Sequence, residues 1–395
     1  MRSPARAIAP LCACVLLLLL PGRPLEADDS GGIAFRISGS VQSYAKLAWP
    51  QSISDGGLGW PSAQFAGQSV ALLTAESPRL LFRLRLAATA EADKASALDP
   101  NDHSNALALD VREAETALLP SSSLALRAGL LLRNFGLGSY GSPVNPFARD
   151  LDQGGFWGLD VEWTPSPVLS SLAIVSADRA ARSGELKGLS DFDSGALVRF
   201  SPGIFDAAAG LYASGAGLGE VRPLAYFSVP LSFFLASLEA ADSHPLSGAS
   251  TQDSQSLRVE LRTNFDVGDL SFQVGTAYRG IYPGRSASDI SALAASLAST
   301  GLPVEPFSPF YGRDYLEFSL FAARGDAFDF SAAALLQLPW GSLSEDARLD
   351  IYLGDASFFI HEQAMVGASD GEFVALARAA GLPLFVLWTG VDFAF

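Results

Sequence analysis

The sequence predicts an all-β fold, a transmembrane antiparallel β-barrel of about 18 strands. Apolar and polar residues alternate with a period of two along many short segments, as expected when a strand has one apolar and one polar face. Short turns alternate with long loops rich in Gly, Ser and Asp, which is typical of barrels in bacterial outer membranes. The chain is also 49% hydrophobic and only 17% charged, below the roughly 25% charged residues of soluble domains.

Composition excludes two broad classes of protein. The chain has 26 Phe, 9 Tyr and 6 Trp, and disordered chains are poor in aromatic residues. It has 42 acidic and 26 basic residues, a net charge of −16. Because such a chain repels phosphate groups, we expect no nucleic-acid partner.

The N-terminal residues have the layout of a secretory signal peptide. A basic start precedes an apolar run of ten residues, Leu11–Leu20, which prolines and a glycine then interrupt before Ala27. Ten apolar residues are too few to cross a bilayer, which takes about 20. We therefore predict a signal peptide at 1–27 and a single barrel domain at 28–395.

The predicted mature chain lacks the residues of the common metal sites. Removing 1–27 takes away three Arg and one Glu, which leaves 23 basic and 41 acidic residues and a net charge of −18. It also removes Cys12 and Cys14, the only cysteines, and leaves three histidines, His103, His244 and His361. Disulfides and thiolate metal sites are then impossible, and a histidine cage is not expected. We predict no metal and no cofactor.

Leu257–Phe265 shows the strand pattern clearly. Leucine, valine and phenylalanine occupy one face, and Arg258, Glu260 and Arg262 occupy the other. The same alternation and the turns between segments predict strands at 33–45, 66–74, 79–90, 106–118, 123–133, 155–164, 168–177, 193–201, 205–214, 221–229, 231–241, 255–264, 269–279, 314–323, 327–338, 346–354, 356–364 and 383–395. The two strands before the last have the weakest pattern, so 16 strands is the alternative. Either even number places both termini on the short-turn side.

Charged residues on the polar faces of strands are the candidate pore lining. Arginine stays charged at any working pH and is costly against lipid, so these side chains are expected to meet water inside the barrel. The predicted pore-lining residues are Arg83, Arg85, Arg127, Arg133, Arg258, Glu260, Arg262, Glu317, Arg348 and Asp350.

One segment conflicts with a simple alternation. Glu113 and Glu115 fall in phase with Leu109 and Val111, which are predicted to face lipid. Either the two glutamates lie at the short-turn rim, or a β-bulge shifts the phase between the apolar and the acidic residues.

Two loops contain short helical stripes. Ile290, Leu293 and Leu297 recur at helical spacing, and so do Phe373 and Leu376 before a stop at Gly381. The expectation is that these helices cap the outer rim. The alternative is that they fold inward and constrict the lumen.

The C-terminal segment carries a resemblance to a known family. Phe385, Leu387, Val391, Phe393 and Phe395 share one face, and Phe395 is the last residue. This resembles the C-terminal signature of outer-membrane β-barrel proteins. The resemblance implies an outer-membrane location, contact with outer-membrane lipid, and recognition of Phe393 and Phe395 by the barrel-assembly machinery.

A narrower resemblance covers about 40 residues, in which an Arg-x-Gly strand leads to an aromatic-Gly pair and then to Asn-Pro. It is similar to a hairpin and loop of porin-like outer-membrane barrels, with Phe135 where tryptophan is usual. The residues that carry it are Arg112-Glu113-Ala114, Leu126-Arg127-Ala128-Gly129, Phe135-Gly136-Leu137-Gly138 and Asn145-Pro146-Phe147.

These observations favour a porin-like channel for the passive diffusion of small polar or ionic solutes, since a barrel of 16 to 18 strands leaves an aqueous lumen. A transporter of hydrophobic compounds is the first alternative. It needs an apolar path, and the predicted inward residues Leu131, Val175 and Leu197 are too few to favour it. A structural or adhesin barrel is the second alternative. An enzyme is not expected, because no catalytic motif surrounds any histidine.

Overall fold

The computed structural model describes residues 33–49, 61–94, 105–132, 156–177, 192–214, 220–245, 254–300, 312–338, 341–379 and 381–394. One antiparallel sheet of 18 strands contains nearly all of them, and each strand pairs with its neighbours in the sequence. The first strand also pairs with the last, from Ser40 opposite Ala394 to Trp49 opposite Phe385. The sheet is therefore closed and has no free edge.

The 18 strands confirm the predicted number, and the alternative of 16 is wrong. Several strands are longer than predicted at the long-loop end, because Ser-rich segments with weak alternation still join the backbone ladder, as where Ser62 pairs with Ala48. The strands are β1 (Ala34–Trp49), β2 (Ser62–Glu76), β3 (Leu80–Lys94), β4 (Asn105–Ser121), β5 (Leu124–Leu131), β6 (Phe156–Ser166), β7 (Leu169–Ser176), β8 (Asp193–Phe200), β9 (Asp206–Ser214), β10 (Glu220–Leu231), β11 (Phe234–Pro245), β12 (Ser254–Val267), β13 (Leu270–Tyr282), β14 (Asp314–Arg324), β15 (Phe328–Gln337), β16 (Ser342–Leu353), β17 (Ala356–Val366) and β18 (Phe385–Ala394).

The exposure of the two sheet faces is the reverse of that in a soluble protein, because the apolar face is exposed and the polar face is buried. On β12, Val259 is 40% and Leu261 45% exposed, whereas Arg258 and Glu260 are each only 8% exposed. Apolar side chains on the outside of a closed barrel contact lipid, and the polar side chains line the lumen. The phase predicted for this strand is confirmed.

A β-bulge in β4 resolves the conflict around Glu113 and Glu115. Arg85 pairs with Glu113, but the next residue, Leu86, pairs with Val111, so Arg112 is the extra residue of the bulge. Val111 thus stays outside while both glutamates turn inward. The second of the two predicted explanations is correct.

The described residues include two helices, α1 (Ala287–Thr300) and α2 (Glu372–Ala379), both where the stripes predicted them. Ser286 caps α1. Its backbone N–H donates to the Asp289 carboxylate at 2.9 Å, and the Asp289 N–H donates to the Ser286 hydroxyl at 3.3 Å. Hydrogen bonding from Ser286 lowers the pKa of the Asp289 carboxyl. Neither helix is long and apolar enough to cross a membrane.

Helix α2 lies inside the mouth of the barrel. Its Val374 and Ala377 are buried against Leu384 and Met365. Met365 has the same strand phase as His361, which bonds to the lumen-facing Asp346. Because α2 packs on inward side chains, the expectation of a rim cap is wrong for this helix, and the alternative of an inward fold is correct.

A buried carboxylate connects α2 to the inner wall. Glu372 is fully buried, and its Oε2 accepts hydrogen bonds from the Gly312 N–H at 2.8 Å, the Tyr315 hydroxyl at 2.5 Å and the Gln337 Nε2 at 2.5 Å. Tyr315 and Gln337 face each other on β14 and β15. Partners this far apart in the chain leave no sequence motif, so the sequence did not predict this contact.

Candidate pore wall

Six charged side chains from β11 to β14 form one cluster on the inner wall, which we call the β12 charge cluster. Its central residue, Arg258, donates to Glu260 at 2.9 Å and to Glu317 at 2.8 Å, and lies 3.5 Å from Glu239. The alternation along β11 and β13 is enough to place Glu239 and Arg279 on the inner face, but these two were not among the predicted pore-lining residues. The six members are Glu239, Arg258, Glu260, Arg262, Arg279 and Glu317.

The β12 charge cluster is balanced, with three arginines and three glutamates. Arg262 donates to Glu260 at 2.7 Å, and Arg279 donates to Glu317 at 2.6 Å. The Arg279 side chain is 5% exposed and that of Arg262 is 40% exposed. Arg258 and Arg279 therefore belong to the wall itself, and Arg262 presents its charge to the lumen.

A second group, the β5 charge cluster, is acid-rich. Arg127 donates to Asp160 at 2.9 Å and to Glu162 at 2.8 Å, and lies 3.6 Å from Glu115. One guanidinium thus faces three carboxylates. Of these, Glu162 is 41% exposed, so the acidic excess meets the lumen there.

The bulge in β4 contributes to the same wall. It turns Glu113 inward, where its carboxylate lies 3.2 Å from Nε of Arg85. Arg112 is also buried and lies 3.8 Å from the Asp110 carboxylate. Arg83 pairs with the inward Glu115 and therefore shares its face. Alternation with the outward Leu109 and Val111 also places Arg112 on the inner face, but the sequence prediction did not include it.

The third group, the β16 charge cluster, combines ions with aromatic rings. Arg348 donates two hydrogen bonds to Asp350, both at 2.7 Å, and its guanidinium lies 4.8 Å from the Phe359 ring centroid. This bidentate geometry is the strong form of an arginine–carboxylate pair. One row closer to the long loops, the Asp346 carboxylate lies 2.9 Å from the His361 ring nitrogen.

The inner wall from β5 to β11 carries an apolar cluster as well. Its members are at most 8% exposed, and Leu131 is 0% exposed. Val175 was predicted to face inward, but it is 42% exposed and lies opposite Leu159 on the outer face, because Ile174 pairs with the inward Asp160. The cluster comprises Leu131, Phe156, Ile174, Leu197, Ala208, Tyr212, Leu224, Tyr226 and Ala241.

A recess of about 470 Å³ lies along β12 to β16. Its floor is a row of small residues that face one another across hydrogen-bonded strands, Gly275, Ser319 and Ala333. The same row ends at Arg262 on β12 and at Asp346 on β16. A side chain at Gly275 would meet the Ser319 hydroxyl, which would have to rotate away to make room.

The predicted pore-lining residues are thus mostly brought together. Those in the described chain face the lumen, and all but Arg83 and Arg85, which lie beside the β5 charge cluster, belong to one of the three charge clusters. Arg133 lies outside the described residues. Phe393 faces outward and is 50% exposed, and Phe395 lies outside the described residues. No group of three or more metal-ligating side chains occurs in the described ranges.

No protein-family model and no curated protein matches the chain. Solved structures do match. Pseudomonas aeruginosa OccK5 (OpdH) has a TM-score of 0.55 at 12% identity, and a BenF-like porin from Pseudomonas fluorescens Pf-5 has 0.56 at 9%. Each match covers 91% of this chain and 98% of the other. The P. aeruginosa outer membrane protein opdK matches with a TM-score of 0.55 at 10% sequence identity, over 91% of this chain and 98% of the other.

The chain has the porin fold. At such low identity the similarity is one of fold, and it agrees with the closed barrel of 18 strands. The predicted resemblance to porin-like outer-membrane barrels is confirmed at this level. This fold agrees with the outer-membrane location that the sequence predicted.

Proposed function

We propose that this barrel is a passive channel for small polar or ionic solutes. The observation that carries the proposal is the recess between Arg262 and Asp346, where partly exposed charges of both signs border a water-accessible wall. Charged side chains that line a pore filter ions and polar solutes by their field. The fold of the three porins supports the same role.

The alternatives receive less support from the inner wall. A transporter of hydrophobic compounds needs an apolar surface that its cargo can reach, whereas the apolar cluster of β5 to β11 is at most 8% exposed. A structural or adhesin barrel needs no charged recess. In an enzyme, we would expect a catalytic partner at a histidine. The described contacts of His361 are with the Asp346 carboxylate at 2.9 Å and the Trp388 ring at 4.6 Å, and they include no serine hydroxyl that could act as a nucleophile.

Single-channel recording in a planar bilayer tests the proposal. The purified barrel should open stable, ohmic conductance steps, and the reversal potential in a salt gradient should show which ion passes more easily. Folded barrel that inserts without conductance would remove the channel and favour the adhesin or structural role. Insertion is checked separately by the heat-dependent gel mobility of folded barrels.

We also propose that residues 1–27 are removed on export and that the C-terminal strand is recognised by the barrel-assembly machinery. The apolar run before Ala27 supports the first step, and the outward alternation of β18 supports the second. The mass of protein from outer membranes should correspond to an N-terminus near Asp28. A retained Met1 would contradict the proposed cleavage.

A further inference from the structure

The lumen has two unlike sides. From β5 to β11 its wall holds the buried apolar cluster, with Ile174 and Tyr212 each 1% exposed. From β12 to β16 it holds the recess, with Ser319 and Ala333 exposed on the floor. A side chain that water does not reach cannot line a water-filled path. The two sides therefore cannot contribute equally to permeation.

Strand pairing fixes the shape of the open side. Arg262 pairs with Gly275, which pairs with Ser319, which pairs with Ala333, which pairs with Asp346. These four steps between strands are about 4.8 Å each, so the two charged ends are roughly 19 Å apart along the wall. The small residues between them leave room that larger side chains would fill.

The ends of this row carry opposite charge and are both accessible. The side chains of Arg262 and Asp346 are 40% and 44% exposed. Their field therefore crosses the recess from one end to the other. The hydroxyl group of Ser319 lies between them in the row, and Ser344 also lines the recess. Such a surface offers donors and acceptors to a dipolar solute, beside apolar lining residues such as Ala333 and Leu335.

We propose that solutes cross the barrel along its β12–β16 side, through the recess between Arg262 and Asp346. This inference rests on the proposed channel function and adds the location of the path. Ala333 and Ser319 are then the positions that set its width. The apolar cluster of β5 to β11 is part of the packed interior and lines no part of this path.

The chain offers a matched set of alanines for a cysteine-accessibility test. Ala333 lies on the open inner wall and Ala208 on the buried inner wall, where it is 7% exposed. Ala332 is the neighbour of Ala333 on the outer, lipid-facing side. The only natural cysteines, Cys12 and Cys14, lie in the predicted leader, so wild-type barrel is the control for their reaction.

Ala333→Cys, Ala208→Cys and Ala332→Cys barrels would be treated with cationic and anionic methanethiosulfonates while current is recorded. Ala333→Cys should react and lose conductance in a single step. The other two should react at least about tenfold more slowly, because modification needs a solvent-accessible thiolate. Both should keep their conductance. Heat-dependent gel mobility of each variant shows that it is folded.

Block at Ala208→Cys with none at Ala333→Cys would overturn the inference and place the path on the apolar side. No reaction at any of the three positions in a conducting barrel would also overturn it. A wild-type barrel without conductance refutes the channel instead. In that case the modification rates, measured by mass spectrometry, still decide whether the recess is open to water.

Discussion

Arg258 and Arg262 give a sharp test of the wall, because they lie two residues apart on one strand face and differ in burial. Their side chains are 10% and 40% exposed. Arg258 neutralises Glu239, Glu260 and Glu317, whereas Arg262 bonds to Glu260 alone among the ion pairs described. Substitution by glutamine removes the same charge at both positions. The stability effects should nevertheless differ strongly.

Arg258→Gln removes the cation that three glutamates share, although Glu260 keeps Arg262 and Glu317 keeps Arg279. Removing one partner of a buried pair costs about 3–5 kcal/mol, which corresponds to a roughly hundred- to several-thousand-fold change in the folding equilibrium. Arg262→Gln breaks an exposed pair, which is worth about 1 kcal/mol or less. Denaturant unfolding of barrels in lipid vesicles, followed by gel mobility, measures both losses.

Arg258→Gln combined with Glu260→Gln should recover part of the lost stability, because it restores the charge balance of the cluster to two arginines and two glutamates. Arg262→Gln should instead shift the reversal potential toward cations, and the shift should shrink near 1 M salt, where screening shortens to about 3 Å. Equal stability losses for the two single variants, or no recovery in the double variant, would refute this account of the cluster.

Three further outcomes are expected. Leu320→Arg, which faces lipid, should cost about 2–4 kcal/mol of unfolding free energy, whereas the lumen-facing Ser319→Arg on the same strand should cost much less; equal losses would refute the assigned faces. Glu372→Ala removes the acceptor of three hydrogen bonds and should speed trypsin cleavage at Arg378 in α2, while Glu372→Gln should do so less. Unchanged cleavage would mean that the other contacts of α2, such as the Phe373 N–H to the Ser342 hydroxyl, hold the helix without Glu372. Replacing Phe393 with a polar residue should reduce the folded barrel in the outer membrane, and normal levels of heat-modifiable protein would contradict an assembly role.

The structure changes one expectation about the polar face of β12. From sequence, Glu260 is simply a residue on the hydrated side of a strand, where arginine should be tolerated. In the fold, Glu260 accepts hydrogen bonds from Arg258 at 2.9 Å and Arg262 at 2.7 Å. Glu260→Arg would bring three arginines together and leave Arg258 short of an acceptor. We therefore expect it to destabilise the barrel.

Period-two alternation was enough to determine the strands of this protein and most of their inward and outward faces. The reason is local, since successive side chains of a strand must point to opposite sides whatever the strand contacts. The same reasoning placed Arg258, Glu317 and Arg348 in the lumen. It failed where backbone pairing shifts the phase, at Glu113 and Glu115 after the bulge in β4, and where the neighbouring strand sets the register, at Val175.

Only the tertiary structure decided which inward residues act together. Strand pairing places Arg262 and Asp346 at the two ends of one row, although they are far apart in the chain. The same pairing joins Glu372 to Tyr315 and Gln337 and so folds α2 into the mouth. Alternation specifies the side of the sheet on which a residue lies, but register and closure specify its neighbours. The charge clusters, the recess and the buried apolar side all depend on those neighbours.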